Sequence, residues 1–293
     1  MHDLAQQIVS GLATGSIFAS MALALVLIYR AMGIINFAQG ELAMFTTYIA
    51  WQLTQTGMPI VAAFALTILI AFVGGVALER IVVRPVERAP QLTVVIVTLG
   101  IFTVANGLAG YFWGYVVKSF PTPFPTSPLS IFGINFSAQD VGVIVVSLIT
   151  LGLISLFFQK TKIGLAMRAA AIYPEQSRVL GIHVGWMLAL GWGLASVVGA
   201  VSGIMVAPLV FLDPYMMQTI IVYAFAAAVL GGVESPIGAV VGGLVLGVVL
   251  NLLGTYVEWI GNELRLAAAL AIIVVVLMVK PSGLFGRATV NRV

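Results

Sequence analysis

Three polar residues stand close together between two long apolar runs: Asn36, Gln39 and Glu41, in the string GIINFAQGE. A carboxylate and two amides in this position suit either of two roles. They line a polar path or its mouth, or they cap and begin the helix that follows, because acids and amides are favoured at helix starts. If the apolar runs span a membrane, the pattern places the three residues at or near the membrane boundary. Both interpretations stay open.

Other residues able to do chemistry are scarce. The two histidines, His2 and His183, have no metal-ligand spacing, and the absence of Cys excludes disulfides, thiolate metal sites and cysteine nucleophiles. No esterase-type, zinc-protease or phosphate-loop motif is present. The sequence therefore predicts no catalytic, metal or cofactor-binding residues. If ATP drives this protein, a partner must use it.

Amides inside apolar runs need partners, because hydrocarbon offers none. Asn106 and Asn251 occupy such positions, and we interpret both as contacts between helices rather than as substrate contacts. No run carries the ladder of charged residues typical of proton- or ion-driven carriers. That absence disfavours an ion-coupled carrier.

Composition defines the class of protein. The chain of 293 residues is 61% hydrophobic and 8% charged, with mean hydropathy +1.14. Such values predict an all-α, polytopic transmembrane bundle, and the 31 glycines suit close helix contacts. About nine spans (eight to ten) are expected within a single domain, residues 1–293. The runs are 7–29, 36–56, 59–79, 93–117, 139–158, 186–210, 217–232, 237–257 and 265–280.

Charge placement predicts the orientation. With the amino terminus outside and the carboxyl terminus in the cytoplasm, eleven of the 13 basic residues lie inside, and Lys118 and Arg265 lie outside.

The longest hydrophilic interruption is the inner loop, residues 159–185, which carries four basic residues and one acid. Residues 165–171 are good helix formers, and Pro174 begins a second short helix ending near Gly181. We therefore predict two short helices on the inner surface, accessible to a cytoplasmic partner.

Two further segments interrupt the apolar runs. The outer loop, residues 118–139, contains four prolines and should be extended, either packed over the bundle or docking another protein. The string GGVESPIG, Gly231–Gly238, repeats the combination of glycines and an acid seen at Gly33–Glu41. Breaks at comparable places in two halves indicate a possible internal repeat. Glu234 itself is interpreted as part of a tight inner turn. The string ERIVVRPVERAPQ is interpreted as a short cytoplasmic loop that begins at Glu79.

Three strings resemble bacterial branched-chain amino acid ABC transporter permeases of the LivH type. They are GLATGSIFASMALALVLIYRAMGIINFAQGELAMF, TKIGLAMRAAAIYPEQSRVLGI, and LGGVESPIGAVVGG with KPSGLFG. The resemblance implies a permease of the bacterial cytoplasmic (inner) membrane that pairs with a homologous permease, two cytoplasmic ATPases and an extracytoplasmic solute-binding protein.

By this resemblance, the inner loop carries the segment that couples to the ATPases. The residues assigned to it are Arg168, Ala169, Ala170, Pro174, Glu175, Gly181 and Ile182. Asn36, Gln39 and Glu41 become candidates for the translocation path or gate. Gln39 stands where the family commonly has His, so the cargo stays open between branched-chain or related amino acids and urea or short amides. The competing classes are an ion-coupled carrier, a channel and a membrane scaffold.

Overall fold

The computed structural model describes residues 2–87, 89–125, 129–131, 134–261 and 263–286. Helices dominate these ranges, which confirms the predicted transmembrane helical bundle. The helices are α1 His2–Met32, α2 Gln39–Gln55, α3 Ile60–Leu78, α4 Gln91–Trp113, α5 Ala138–Lys160, α6 Lys162–Ile172, α7 Pro174–Val179, α8 Val184–Val210, α9 Gln218–Gly231, α10 Pro236–Tyr256 and α11 Arg265–Val279. A short hairpin of β1 Leu129–Ile131 and β2 Ile134–Phe136 was not predicted.

Each predicted apolar run corresponds to one helix, but not every helix is long enough to cross a membrane unaided. Within the described ranges six segments are sufficiently long and apolar. They are Leu4–Met32, Ile60–Val86, Gln91–Trp113, Ala138–Lys160, Val184–Val210 and Pro236–Tyr256. Two further helices, α9 and α11, are apolar but shorter. The count of nine spans is therefore not confirmed.

The chain divides into two units that alternate along the sequence. The first consists of Met1–Val26, Phe124–Val145 and Thr219–Val293, and the second of Leu27–Pro123 and Val146–Gln218. The single domain predicted from the sequence stays a prediction.

In the first unit, α1 and α10 touch backbone to backbone. A Cβ added at Gly247 would meet the backbone of Gly15, and one added at Gly11 would lie 2.8 Å from the Cα of Val248. One amide side chain adds to this contact, since Asn251 donates to the carbonyl of Gln7 at 2.7 Å. The predicted role of Asn251 as a contact between helices is confirmed.

The contact between α1 and α10 predicts that Gly247→Ala destabilises the protein by about 1–3 kcal/mol, because the added methyl meets main chain that cannot rotate away. Gly107→Ala in α4 is the matched control, since a Cβ there meets open space. It should leave stability unchanged or slightly higher. Thermal unfolding of both variants in detergent measures the difference. Equal midpoints would show that the α1–α10 contact adjusts without cost.

In the second unit, α2 and α3 both pack against α8, and they run in opposite directions to each other. Helix α3 runs antiparallel to α8, because a Cβ at Gly75 would lie 2.7 Å from the Trp192 carbonyl, whereas Arg80, just beyond the end of α3, lies over the Trp186 ring near the start of α8. Trp192 is among the largest fully buried side chains. Helix α8 is therefore the centre of this unit.

The segment that follows α3 is helical, whereas the sequence predicted a loop. The string ERIVVRPVERAPQ was predicted to be a loop, but the chain continues as a π-helical turn, Glu79–Val83, and a 3-10 turn, Arg84–Val86. Pro85 lacks an N–H and cannot enter a regular α-helix without disturbing the preceding turn. A wider turn followed by a tighter one lets the chain stay helical to Val86.

The outer loop is non-helical up to residue 125, as predicted. Helix α4 stops at Gly114, whose φ of 76° is left-handed, and Lys118 then pairs with Leu212 through two backbone hydrogen bonds of 2.9 Å. Phe120 is buried, and the ring of Phe124 occupies the space beside Gly142. These contacts favour the packed interpretation. Residues 126–128 and 132–133, including Pro128, lie outside the described residues.

Candidate functional site

The inner loop folds as the two short helices that were predicted. Thr161 ends α5 and caps α6, because its Oγ1 accepts the Gly164 N–H at 2.9 Å. Gly164 allows the tight corner, since a Cβ there would lie 2.6 Å from the Cα of Phe158. Tyr173 precedes Pro174 and has a non-helical backbone (φ −132°, ψ 68°), which separates α6 from α7.

Helix α7 ends in a turn that only a few residue types permit. Gly181 has φ of 80°, in the left-handed region favoured by glycine, and Ile182 N–H donates to the Ser177 carbonyl at 2.9 Å. Within the helix, Arg178 pairs with Glu175 at 2.6 Å. The turn directs the chain into α8.

One face of the α6–α7 pair packs against α8, and the other face is exposed. Met167 and Ala170 are buried, and the Met167 Cε lies 3.8 Å from where a Cβ would stand on Gly191 of α8. By contrast, Val179 and Leu180 are 89% and 79% exposed. Exposed apolar side chains on a loop outside the spans are typical of a protein contact.

The predicted coupling residues are distributed over both faces. Arg168, Ala169 and Ile182 are half-buried, and the buried Nε of Arg168 has no hydrogen-bond partner among the described residues. Ala170 is buried. The exposed members are Pro174, Glu175 and Gly181. The structure thus brings the seven residues into one compact segment, and their coupling role stays a prediction.

The second candidate site begins at the break between α1 and α2. Asn36 Nδ2 donates to Gln39 Oε1 at 3.3 Å, and Gln39 Nε2 donates to the Ala195 carbonyl of α8 at 2.9 Å. Asn36 Oδ1 accepts the Ala38 N–H at 3.1 Å, an Asx-type turn just before the helix. Ala38, not Asn36, is the residue that precedes the first turn of α2, so the capping interpretation of Asn36 is wrong.

The break between α1 and α2 lies deeper in the membrane than the sequence predicted. Gln39 contacts Ala195, the twelfth of the 27 residues of α8, and Thr47 contacts Gly203 farther along, so α2 runs parallel to α8. At about 1.5 Å per residue, Ala195 lies roughly 16 Å from the start of α8. That is about half of a hydrocarbon core. Helix α2 therefore starts level with the middle of α8 rather than at the membrane edge.

Glu41 lies on a different side of α2 from Gln39. Its carboxylate is 1% exposed and accepts from Asn106 Nδ2 of α4 at 3.3 Å and from Gln218 Nε2 at 3.5 Å. Asn106 also donates to the Pro214 carbonyl at 2.7 Å. The described hydrogen-bond partners of this carboxylate are amides, whose N–H groups stabilise negative charge only weakly. The predicted helix contact of Asn106 is confirmed.

Aromatic rings contact each other farther along α2 and α4, beyond Glu41 and Asn106. Tyr48 stacks on Trp113 with ring centroids 4.8 Å apart, and Phe45 meets the same indole edge-on at 5.3 Å. Tyr48 and Trp113 each lie seven residues beyond Glu41 and Asn106, so both pairs follow one seam between parallel helices. The Tyr48 hydroxyl is buried and has no hydrogen-bond partner among the described residues.

The structure thus brings Asn36 and Gln39 together and places Glu41 in a separate group. We name the group of Glu41, Asn106 and Gln218 the mid-helix polar group. Gln218 was missed, because the sequence shows it only as the start of an apolar run. Within the described ranges, no three His, Cys, Asp or Glu side chains lie together as a metal site.

Fold and sites define a class: a multi-pass helical membrane protein with a buried polar group and a helical inner loop. Comparison of the sequence with known families then shows which one. Residues 7–279 match the model of the branched-chain amino acid transport system/permease component family. The chain belongs to that family of transport permeases.

Individual relatives agree. The chain is 29% identical over 302 residues to the high-affinity branched-chain amino acid transport system permease protein LivH of Escherichia coli K12, covering 98% of this chain and 97% of LivH. It is 29% identical over 307 residues to BraD of Pseudomonas aeruginosa, a permease of the same description, covering 100% and 99%.

A solved structure has a similar fold. A chain of PsaBC from Streptococcus pneumoniae, solved in complex with a Fab, superposes with a TM-score of 0.52 at 12% identity, covering 93% of this chain and 91% of that one. The likeness concerns the fold alone.

Proposed function

We propose that this chain is the transmembrane permease subunit of an ATP-driven (ABC) importer that carries branched-chain or related amino acids inward by alternating access. Membership of the branched-chain amino acid transport system/permease component family supports this cargo class. One observation supports the ATP-driven step above all: the inner loop holds a helix pair fixed to α8 on one face, with Val179 and Leu180 exposed on the other. A soluble partner would bury those side chains.

In the inner membrane, the proposed assembly gives this chain three kinds of protein partner. A homologous permease would make a heterodimer, two cytoplasmic ATPases would bind the inner loops, and an extracytoplasmic solute-binding protein would deliver cargo. The amino terminus would lie outside and the carboxyl terminus in the cytoplasm. The ATPases would use ATP, and we propose no cofactor for this chain.

The proposed path of force runs through α8. When the ATPases close, they push α6 and α7, and the contact of Met167 with Gly191 passes the push to α8. Ala195 lies about one turn beyond Gly191 on this helix and accepts from Gln39. A shift of α8 therefore acts on the start of α2, which also carries Glu41. We propose that Asn36, Gln39 and Glu41 form the gate that this shift opens and closes.

The proposal predicts that an ATPase co-purifies with the parent chain and is lost with Arg168→Glu or Gly181→Trp. The first change inverts a half-buried charge, and the second places a Cβ in the left-handed region at the turn. Gly181→Asn is the matched control, because Asn tolerates that region, and it should retain the ATPase. Pull-down from native membranes in mild detergent, followed by mass spectrometry, measures this.

Retention of the ATPase by all three variants would remove the inner loop as the contact. Absence of any ATPase from the parent, together with solute uptake driven by an ion gradient, would replace the importer with a secondary carrier.

A further inference from the structure

The helical extension Glu79–Val86 at the end of α3 contacts the first turn of α8. Arg80 Cζ lies 3.6 Å from the centroid of the Trp186 ring, a cation–π contact. Arg84 fills the space beside Gly185, where an added Cβ would lie 2.7 Å from the guanidinium carbon. Trp186 and Gly185 directly follow the turn that ends the inner loop. The extension therefore meets that loop where it enters the membrane.

The π-helical turn determines which side chains share a face. In an α-helix, residues five apart point about 140° away from each other. Here the Arg84 N–H donates to the Glu79 carbonyl, so the two residues lie one π-turn apart, one above the other. Pro85 accounts for the irregular turn, and its consequence is an acid and an arginine on the same face.

The side chains of this turn carry unsatisfied polar atoms. Glu79 is fully buried, and neither carboxylate oxygen has a hydrogen-bond partner among the described residues. The Nε and one Nη of Arg80 are likewise buried without a partner. A buried charge without hydrogen bonds is costly, so packing must hold this arrangement in place.

We propose that Arg80 and Arg84 are positioning residues that clamp the end of α3 to the first turn of α8, with Glu79 one π-turn before Arg84 in the same extension. Helix α3 already packs along α8 through Gly75 and Gly193, and the clamp fixes the ends of the two helices as well. A push received by the inner loop then moves α3 and α8 as one body. This inference rests on the proposed coupling of the inner loop to an ATPase.

Breaking the clamp should uncouple ATP use from transport without releasing the ATPase. We expect Arg80→Ala to lower the amount of amino acid imported per ATP hydrolysed by about fivefold or more, because a cation–π contact contributes about 1 kcal/mol or more. Gly185→Ala, whose added Cβ would displace the Arg84 guanidinium, should lower this ratio as well. Arg80→Lys keeps a cation over Trp186 and should restore most of the ratio. Ile81→Ala is the control, since Ile81 is 72% exposed in the same turn, and it should match the parent.

The readout is uptake and ATP hydrolysis by the same proteoliposomes, with ATPase content measured for each variant. An unchanged ratio in Arg80→Ala and Gly185→Ala overturns the clamp. A lowered ratio that Arg80→Lys fails to restore also overturns it, because the cation over Trp186 is then not what matters. If the parent itself shows no ATP-driven uptake, the proposed function fails rather than the clamp.

A cross-link tests directly whether the two helix ends move together. The chain has no native cysteine, so Arg84→Cys with Gly185→Cys introduces one pair that a short bifunctional thiosulfonate can join. We expect the joined protein to import at the rate of the same variant before joining. Loss of import on joining, with recovery after reduction, would show that the contact must open during transport and would overturn the clamp.

Discussion

Replacing Val179 and Leu180 together by Asp should lower ATP-dependent uptake to background. Both side chains are almost fully exposed at the end of α7, and the proposed ATPase contact would bury them. Full burial of two aliphatic side chains contributes about 3 kcal/mol or more. Its loss corresponds to a weakening of ATPase binding by roughly a hundredfold. Quantitative pull-down of the ATPase, together with uptake into vesicles, measures the effect.

Gln176→Asp is the control for the double variant. It adds negative charge to an exposed position of the same helix and removes no apolar surface. We expect it to bind the ATPase and import as the parent does. Equal ATPase binding by the double variant and the parent would show that these two side chains face something other than the ATPase.

Glu41→Gln should reduce import by about fivefold to a hundredfold while leaving the ATPase bound. The two carboxylate oxygens accept from the side-chain amides of Asn106 and Gln218. A glutamine in this place has one acceptor oxygen, and its own NH₂ group would face one of these two donors. Leaving a buried donor unpaired costs about 1–3 kcal/mol. Because the mid-helix polar group joins α2, α4 and the first residue of α9, the change should disturb the gate rather than the inner loop.

The matched control is Glu258→Gln, the same chemical change at an exposed position, which should import normally. Thermal stability separates a gate from a purely structural contact. If Glu41→Gln lowers the unfolding temperature but imports as well as the parent per folded molecule, Glu41 serves stability and not transport.

Local signals in the sequence predicted the inner loop well. Pro174 and Gly181 act within their own turns as a first helical residue and a left-handed stop. Each acts over a few residues, so the two short helices could be placed without knowledge of the rest of the chain. Basic residues in the same loop place it in the cytoplasm by an equally local rule, and that orientation stays a prediction.

Contacts between distant segments could not be predicted in the same way. The depth of the break before α2 depends on a parallel contact between Gln39 and Ala195, far apart in sequence. Gln218 gains its partner, Glu41, only when the chain returns after α8. Glu79 was assigned to a loop because its neighbours are charged, whereas the π-turn before Pro85 keeps it helical and buried. These features follow from packing, which no single stretch specifies.

The most direct test of the central claim is uptake of radiolabelled leucine by proteoliposomes that contain this chain with its co-purified proteins. The proposed function predicts that accumulation requires ATP on the side of the membrane where the ATPases bind and the solute-binding protein on the opposite side. It also predicts that accumulation does not depend on a sodium or proton gradient. Accumulation by this chain alone, driven by either gradient and unaffected by ATP, would contradict it.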